Sequence, residues 1–361
     1  VYSVATVRGY DAENMEGHTL RALWGQLIRV GIGLIGLCLA ACLDYQVYSK
    51  RSVLYPMVAL TLLLLVLVLL VGEERHGARR WLIVAGLSMQ PSDLAKLVIV
   101  ILLATKLAES QERIQRFWKG VAPPMMTAVG FGVLIALEKD IGAPIVMGTV
   151  ALLMLMMAGA KWWHLALNVL LGIPLVGLYI WLHPHAQVRI YSWWNPLEYR
   201  LNESYQLMQS LWAFAGGGLT GRGPGAGQQK LHYLPEAHSD FIFAALGEEL
   251  GLIGTVFAVV LFGLFVILAL RIAVCAPDLL GALLAAGIAS TITLQAVLSM
   301  AVTTGLVPTK GFALPFISAG GTSLIFNLTM VGILLNVAAQ GALPSSLPAR
   351  KSEISNLRFE I

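Results

Sequence analysis

Residues 228–254 read QQKLHYLPEAHSDFIFAALGEELGLIG. A polar loop carrying Glu236, His238 and Asp240 runs directly into an apolar segment that holds two more carboxylates, Glu248 and Glu249. Ionisable side chains at the mouth of a membrane span, or inside it, are costly and are kept for function by default. Asp240 opens the apolar run, where a helix N-terminus stabilises an anion. A carboxylate poised there can act as a general base toward a sugar hydroxyl, or simply cap the helix that follows. A second constellation is Asp93 and Lys96 in QPSDLAK, three residues apart and so on one helix face. Lys96 can hold a pyrophosphate or tune an aspartate, and the pair can also be purely structural. Arg79, Arg80 and Trp81 stand just before it. Arginine grips phosphate through two parallel hydrogen bonds. Trp81 can stack on a sugar ring or anchor the chain at the membrane interface. Lys139 and Asp140 interrupt apolar sequence, as a site or as a short solvated turn.

Two further features carry less. GGGLTGRGPGAG (216–227) has no strand before it and no helix pattern after it, so it is a flexible loop around Arg222 rather than a dinucleotide site. His183, His185, His232 and His238 lack metal-ligand spacing.

The frame for these residues is a membrane. The chain is 57% hydrophobic and 12% charged, with mean hydropathy +0.76, against roughly 25% charge in a soluble domain. A net charge of +4 says little about nucleic acid, and no Lys/Arg run or aromatic-basic interleave points to it. Cys38, Cys42 and Cys275 lie in or beside apolar segments without metal or redox spacing, which predicts core packing. A span needs about 20 apolar residues. Candidates fall near 27–43, 53–71, 92–105, 121–137, 141–160, 163–182, 241–270, 279–307 and 322–340. The run 92–105 carries charge and must face protein or water. The run 241–270 exceeds one bilayer and is expected to tilt or project. Lys and Arg divide evenly between the two sides, so the charge rule leaves the orientation open.

Three connections are more than turns. Residues 73–91 are basic and aromatic. The long loop 183–240 contains Trp193, Trp194 and Trp212 and is expected to form a structured layer on the membrane interface. Residues 308–323 (PTKGFALPFISAGGTS), rich in Gly and Pro, fit a re-entrant or broken-helix segment, tolerated only where it lines a cavity. The reading is one integral membrane domain, 1–340, followed by a polar tail, 341–361. The chain opens on Val1 and YSVA with no signal peptide, and a missing N-terminal segment is expected.

These motifs together resemble the SEDS family (shape, elongation, division, sporulation) of polytopic peptidoglycan polymerases. They are GARRWL (77–82), QPSDLAK (90–96), DIG (140–142), YQLMQSLWAFAGGGLTGRGPG (205–225), LPEAHSDFIFAALGEELG (234–251) and VPTKGFALPFISAGGTSL (307–324). PTKG before LPFIS is closer to the cell-division member than to the elongation member. The resemblance implies an all-α, ten-helix SEDS fold, of which nine spans are countable here, with a large extracytoplasmic loop between the seventh and eighth family spans and a cytoplasmic C-terminal tail. It implies an inverting glycosyltransferase of the bacterial inner membrane that polymerises lipid II and releases undecaprenyl pyrophosphate in septal wall synthesis. Asp240 matches the family's essential aspartate. Trp81, Asp93, Lys96, Asp140 and Gly142 match its other motif positions, with Asp93 for the usual Glu, Lys139 for a common Pro and Ala319 for a common Tyr. Arg80, Arg189, Arg222, Glu236, His238, Glu249, Lys310 and Ser318 are candidates to bind or support the substrate, with Mg or Mn as an optional cofactor. The implied partners are lipid II, a class B penicillin-binding transpeptidase and other divisome membrane proteins. Rival readings are a lipid II flippase, using a cavity with Lys96, Asp93 and Glu249, and a non-catalytic divisome scaffold.

Overall fold

The computed structural model describes residues 15–75, 78–84, 87–199, 204–229 and 238–342. Glu236, His232 and all of the expected tail beyond residue 342 therefore lie outside the described residues, while its first two residues end the last helix. Nine long helices cover the nine apolar runs: α1 (Met15–Cys42), α2 (Arg51–Val71), α3 (Pro91–Glu109), α4 (Ala122–Leu137), α5 (Gly142–Met157), α6 (Trp162–Leu182), α9 (Ile242–Val274), α10 (Leu279–Thr303) and α11 (Gly321–Ala342). Among the described residues, seven helices are long and apolar enough to cross a membrane. The other two long ones are α5, with 16 residues, and α3, which carries Asp93, Lys96 and Lys106.

Charge dictates where α3 sits. Asp93 and Lys96 cannot face lipid, and α3 is buried along nearly its whole length. Its Ile99, Ile101, Leu103 and Leu107 pack with Leu283, Leu284 and Ile288 of α10 and with Met147, Met154 and Leu155 of α5 in the main core. The most apolar helices take the periphery: α6 buries no residue. Where α1 packs along α11, small residues let the backbones approach. Gly33 and Gly36 face Leu328 and Thr329, and Gly332 lies against the Leu37 carbonyl.

Four findings depart from the sequence reading. First, residues 73–91 read in the sequence only as a basic and aromatic connection. Their described residues form a three-stranded antiparallel sheet, β1 (Glu73–Arg75), β2 (Ala78–Val84) and β3 (Leu87–Met89), in the order β1-β2-β3. It is the exception to an otherwise helical chain. Second, the three cysteines are exposed on helix surfaces rather than packed in the core. In a membrane chain, lipid satisfies an apolar side chain as well as a core does. Third, α9 is interrupted by a break: Gly251 has φ 65°, ψ −162°, a conformation open to glycine.

Fourth, the glycine-rich loop around Arg222 is docked, not loose. It lies against the break in α9. Arg222 N and Gly223 N donate to the Glu248 and Glu249 carbonyls, each at 3.0 Å, while Leu252 N and Ile253 N donate to the Gly218 and Leu219 carbonyls at 2.9 and 3.2 Å. The backbone groups freed by the break are thereby satisfied. The rest of the 183–240 loop includes α7 (Pro184–Trp194) and α8 (Tyr205–Gly217). Trp193 Nε1 donates to the Gly305 carbonyl at 2.8 Å, which ties α7 to the irregular segment 304–320.

Candidate functional site

Four helices begin at one end of the bundle and around one cavity. Ser92 and Asp93 open α3, Asp140 and Ala143 flank the start of α5, Asp240 precedes α9, and Gly320 and Gly321 open α11; all line a cavity of about 610 Å³. Each helix start carries a partial positive charge, so the cavity favours anionic groups through its backbone alone.

Asp240 is half-buried and held by neighbours on both sides. The irregular segment 304–320 is stapled to the two residues before it. Ser318 Oγ donates to the Ser239 carbonyl at 2.6 Å and accepts from Leu314 N at 2.7 Å. Ala319 N donates to the His238 carbonyl at 2.9 Å. Gly311 packs directly against the carboxylate: a Cβ there would come within 3.1 Å of Asp240 Cγ and closer still to Oδ2. A glycine is therefore needed for close approach rather than for its torsion.

Around the mouth stand cations. Arg80, on β2, donates from Nε to the Glu138 carbonyl at 3.2 Å and from its terminal nitrogen to the Lys139 carbonyl. Arg189, on α7, also lines the cavity. Burial, and next the neighbouring Arg80, push the Arg189 guanidinium below its ordinary value. Lys310 Nζ lies 2.8 Å from Asp140 Oδ1. Burial alone would raise the Asp140 carboxyl, but Lys310 and Arg80 outweigh it and hold Asp140 at about 2. Burial lowers Lys310 against the opposing pull of Asp140. Asp140 Oδ1 also accepts from Gly142 N at 2.9 Å, and a side chain at residue 142 would strike Phe312 and Lys310. That explains the D-x-G spacing.

Deeper in the cavity Lys96 Nζ pairs with Asp93 Oδ1 at 2.8 Å. Thr322 Oγ1 donates to Asp93 Oδ2 at 3.1 Å and accepts from Gln90 N at 3.0 Å, which locks α11 to α3. Trp81 lines the wall near this level, 3.8 Å from a Cβ built on Gly321.

The structure thus brings together Asp240, His238, Trp81, Arg80, Asp93, Lys96, Asp140 and Arg189 in one cavity. Lys310 and Ser318 hold its wall from behind. Arg222 and Glu249 lie elsewhere. Arg222 pairs with Glu248 at 3.3 Å, and Glu249 Oε2 accepts from Gly225 N at 3.1 Å. Sequence reasoning missed Ser92 and Gln295. Both line the cavity, and their buried Oγ and Oε1 atoms have no hydrogen-bond partner in the protein. The available signal was a lone side-chain amide, Gln295, in the run TITLQAVL.

Among the described residues, the carboxylates do not form a site for a divalent ion. Asp93 and Asp140 are each neutralised by a lysine, and among the described residues no group of three or more His, Cys, Asp or Glu converges.

A helical bundle with seven span-length helices among the described residues, and a polar cavity lined by charged side chains, defines a multi-pass membrane protein. The comparisons place it within that class. The FtsW/RodA/SpoVE family, described as cell cycle protein, matches residues 1–342, and the chain belongs to it. It is 40% identical over 309 residues to a probable peptidoglycan glycosyltransferase FtsW of Geobacter metallireducens, covering 86% of this chain and 82% of the relative. It is 40% identical over 314 residues to the stage V sporulation protein E of Bacillus subtilis, covering 87% and 86%. Among solved structures, a chain from a peptidoglycan synthase complex that coordinates polymerization and crosslinking superposes with TM-score 0.77 at 27% identity, covering 95% of this chain and 96% of that one. The rod shape determining protein RodA of Thermus thermophilus superposes with TM-score 0.66 at 27% identity, covering 95% and 96%.

Proposed function

We propose that this chain is a peptidoglycan glycosyltransferase that polymerises lipid II, an undecaprenyl-pyrophosphate-linked disaccharide peptide, in septal wall synthesis. The observation that carries this reading is Asp240 in a cavity whose lining also includes Arg80 and Arg189. The names of the relatives and the synthase complex support it. The glucosamine 4-hydroxyl of one substrate attacks the anomeric carbon of the muramyl sugar at the growing end. The new glycosidic bond forms with inversion as the bond to pyrophosphate breaks. Asp240 takes the hydroxyl proton, and undecaprenyl pyrophosphate departs as an anion. Pyrophosphate leaves without a general acid, so the site needs positive charge where negative charge develops. Donors so placed are usually the largest catalytic contribution. Arg80, Arg189 and the helix starts supply that charge, with Lys96 deeper in the cavity. Trp81 offers a stacking face for a sugar.

The site then faces the extracytoplasmic side of the bacterial inner membrane, and a class B transpeptidase is the expected partner. The test is strand synthesis from lipid II in detergent by the purified chain with that partner. Wild type makes glycan strands, and Asp240→Asn, which keeps the shape and loses the base, makes none. Strands from Asp240→Asn would sink the base assignment. A folded wild-type complex that makes none would favour a transporter or a scaffold. The transporter reading keeps Asp93 and Lys96 but not Glu249, which is engaged with the docked loop.

A further inference from the structure

Ser92 and Gln295 are 1% and 6% exposed, and both line the cavity. Ser92 Oγ and Gln295 Oε1 have no hydrogen-bond partner among the described residues. A buried polar atom left unpaired is costly, and each such atom calls for an explanation. Helix geometry sets the two side chains at one level. Gly287 of α10 packs where α3 and α5 meet: a Cβ there would come within 2.7 Å of Val100 Cγ1 and 2.8 Å of Met154 Sδ. From that contact α10 runs toward the cavity, while α3 and α5 start at it. Eight residues nearer the cavity stand Gln295 on α10, Ser92 on α3 and Val146 on α5. At 1.5 Å per residue each lies about 12 Å along its helix. Val146 lines the cavity too. Ile288 and Ile99, buried in the core, are seven residues from Gln295 and Ser92 and so share their helix stripes. Two unpaired polar atoms and one apolar side chain thus form a patch on a single wall. Beside it Asp93 and Lys96 neutralise each other.

We propose that Ser92, Gln295 and Val146 form a subsite for the acetamido group of a substrate sugar. The inference rests on lipid II as the ligand, the reading given above; both of its sugars carry that group. A secondary amide donates through its N–H and accepts through its carbonyl. Gln295 Oε1 accepts from the N–H, Ser92 Oγ donates to the carbonyl, and the methyl group seats on Val146. With the Gln295 amide turned over, Nε2 donates to the carbonyl and Ser92 Oγ accepts from the N–H, so the match holds for either orientation. The atoms unpaired in the free protein are then satisfied. Diphosphate is matched instead by the helix starts and by Arg80 and Arg189. A site built to hydrogen-bond a group rejects an analogue that lacks it, because its own polar atoms stay unpaired.

The test is competition against fluorescently labelled lipid II bound to the purified chain with its transpeptidase partner. The competitors are lipid II and an analogue with hydroxyl in place of acetamido on both sugars, which is neutral and otherwise the same. Wild type should bind lipid II about tenfold or more tighter than the analogue. In Ser92→Ala/Gln295→Leu that ratio should fall at least about fivefold, with Tm equal or higher because the variant buries no unpaired atom there. Gln295→Met, which keeps the length and loses the amide, carries the test if the double variant does not fold, with a fall of about threefold. Buried water at the same atoms would leave the ratio unchanged. A ratio within twofold of wild type in a folded variant overturns the subsite. If that happens while wild type makes glycan strands, the subsite alone falls. If wild type binds lipid II without making strands and the ratio falls as expected, the polymerase reading falls and the subsite stands.

Discussion

Gly311→Ala places one methyl group against the proposed base. The new Cβ would sit 3.1 Å from Asp240 Cγ and nearer to Oδ2, whereas ordinary contact begins at 3.4 Å. Gly311 is not among the positive-φ glycines, so alanine fits its backbone and the strain falls on the neighbouring side chain. The Ser318 staple holds the main chain before Asp240, which leaves rotation of the carboxylate as the easy relief, by about 1 Å. Misplacement of that size costs about 100-fold in rate, or about 2.7 kcal/mol of barrier at 1.36 kcal/mol per decade. The assay is strand synthesis under saturating lipid II, with Gly148→Ala, whose Cβ meets nothing within 4 Å, as the control. Gly311→Ala is expected to lower kcat about 100-fold with KM and Tm nearly unchanged. A kcat within twofold of wild type would refute the claim that Asp240 must sit where it does.

Other outcomes follow from the same geometry. Burial, and then Asp140, push the Glu138 carboxyl up to about 8 from its ordinary 4.5, against the pull of Arg80. The folded chain then keeps a proton that the unfolded chain loses, so Glu138 makes stability fall from about pH 4.5 to about pH 8 and level above it. Glu138→Gln should flatten Tm across that window and raise it at pH 8; an unchanged slope would count against it. Lys310→Met strands the buried Asp140 and should cost about 3–5 kcal/mol in denaturant unfolding, with most of it recovered in Lys310→Met/Asp140→Asn. The contribution of Asp140 itself is complete above about pH 4 and is lost only as pH falls to about 2. Gln295→Leu removes a cavity-lining amide whose oxygen has no partner in the protein and should raise KM for lipid II several-fold with kcat nearly kept, a pattern that no change in KM would disprove.

The helices were legible because length and apolarity decide them, and the placement of α3 followed from Asp93 and Lys96 alone. That pair was legible too, since three residues of spacing put both side chains on one helix face. Asp140 was read beside Lys139, its chain neighbour, yet its ion-pair partner is Lys310, brought from the other end of the sequence. Lys139 instead takes a left-handed conformation, φ 60°, and lends its carbonyl to Arg80. Pairings at that separation have no periodicity to announce them. The sheet was missed because ARRWLIV lacks strict alternation of polar and apolar residues. Glu248 and Glu249 looked like charges inside a span. Their partners are backbone N–H groups of a loop that returns to the helix, and nothing in the loop sequence states where it lands. Asp240 was found because it heads a span directly after a polar loop; its contact with Gly311 could be seen only in three dimensions.

The convergence of four helix beginnings bears on how mutational maps of this region should be interpreted. Part of the field that attracts a phosphate is built into peptide bonds, which substitution of side chains leaves intact. Alanine scanning would therefore miss that share.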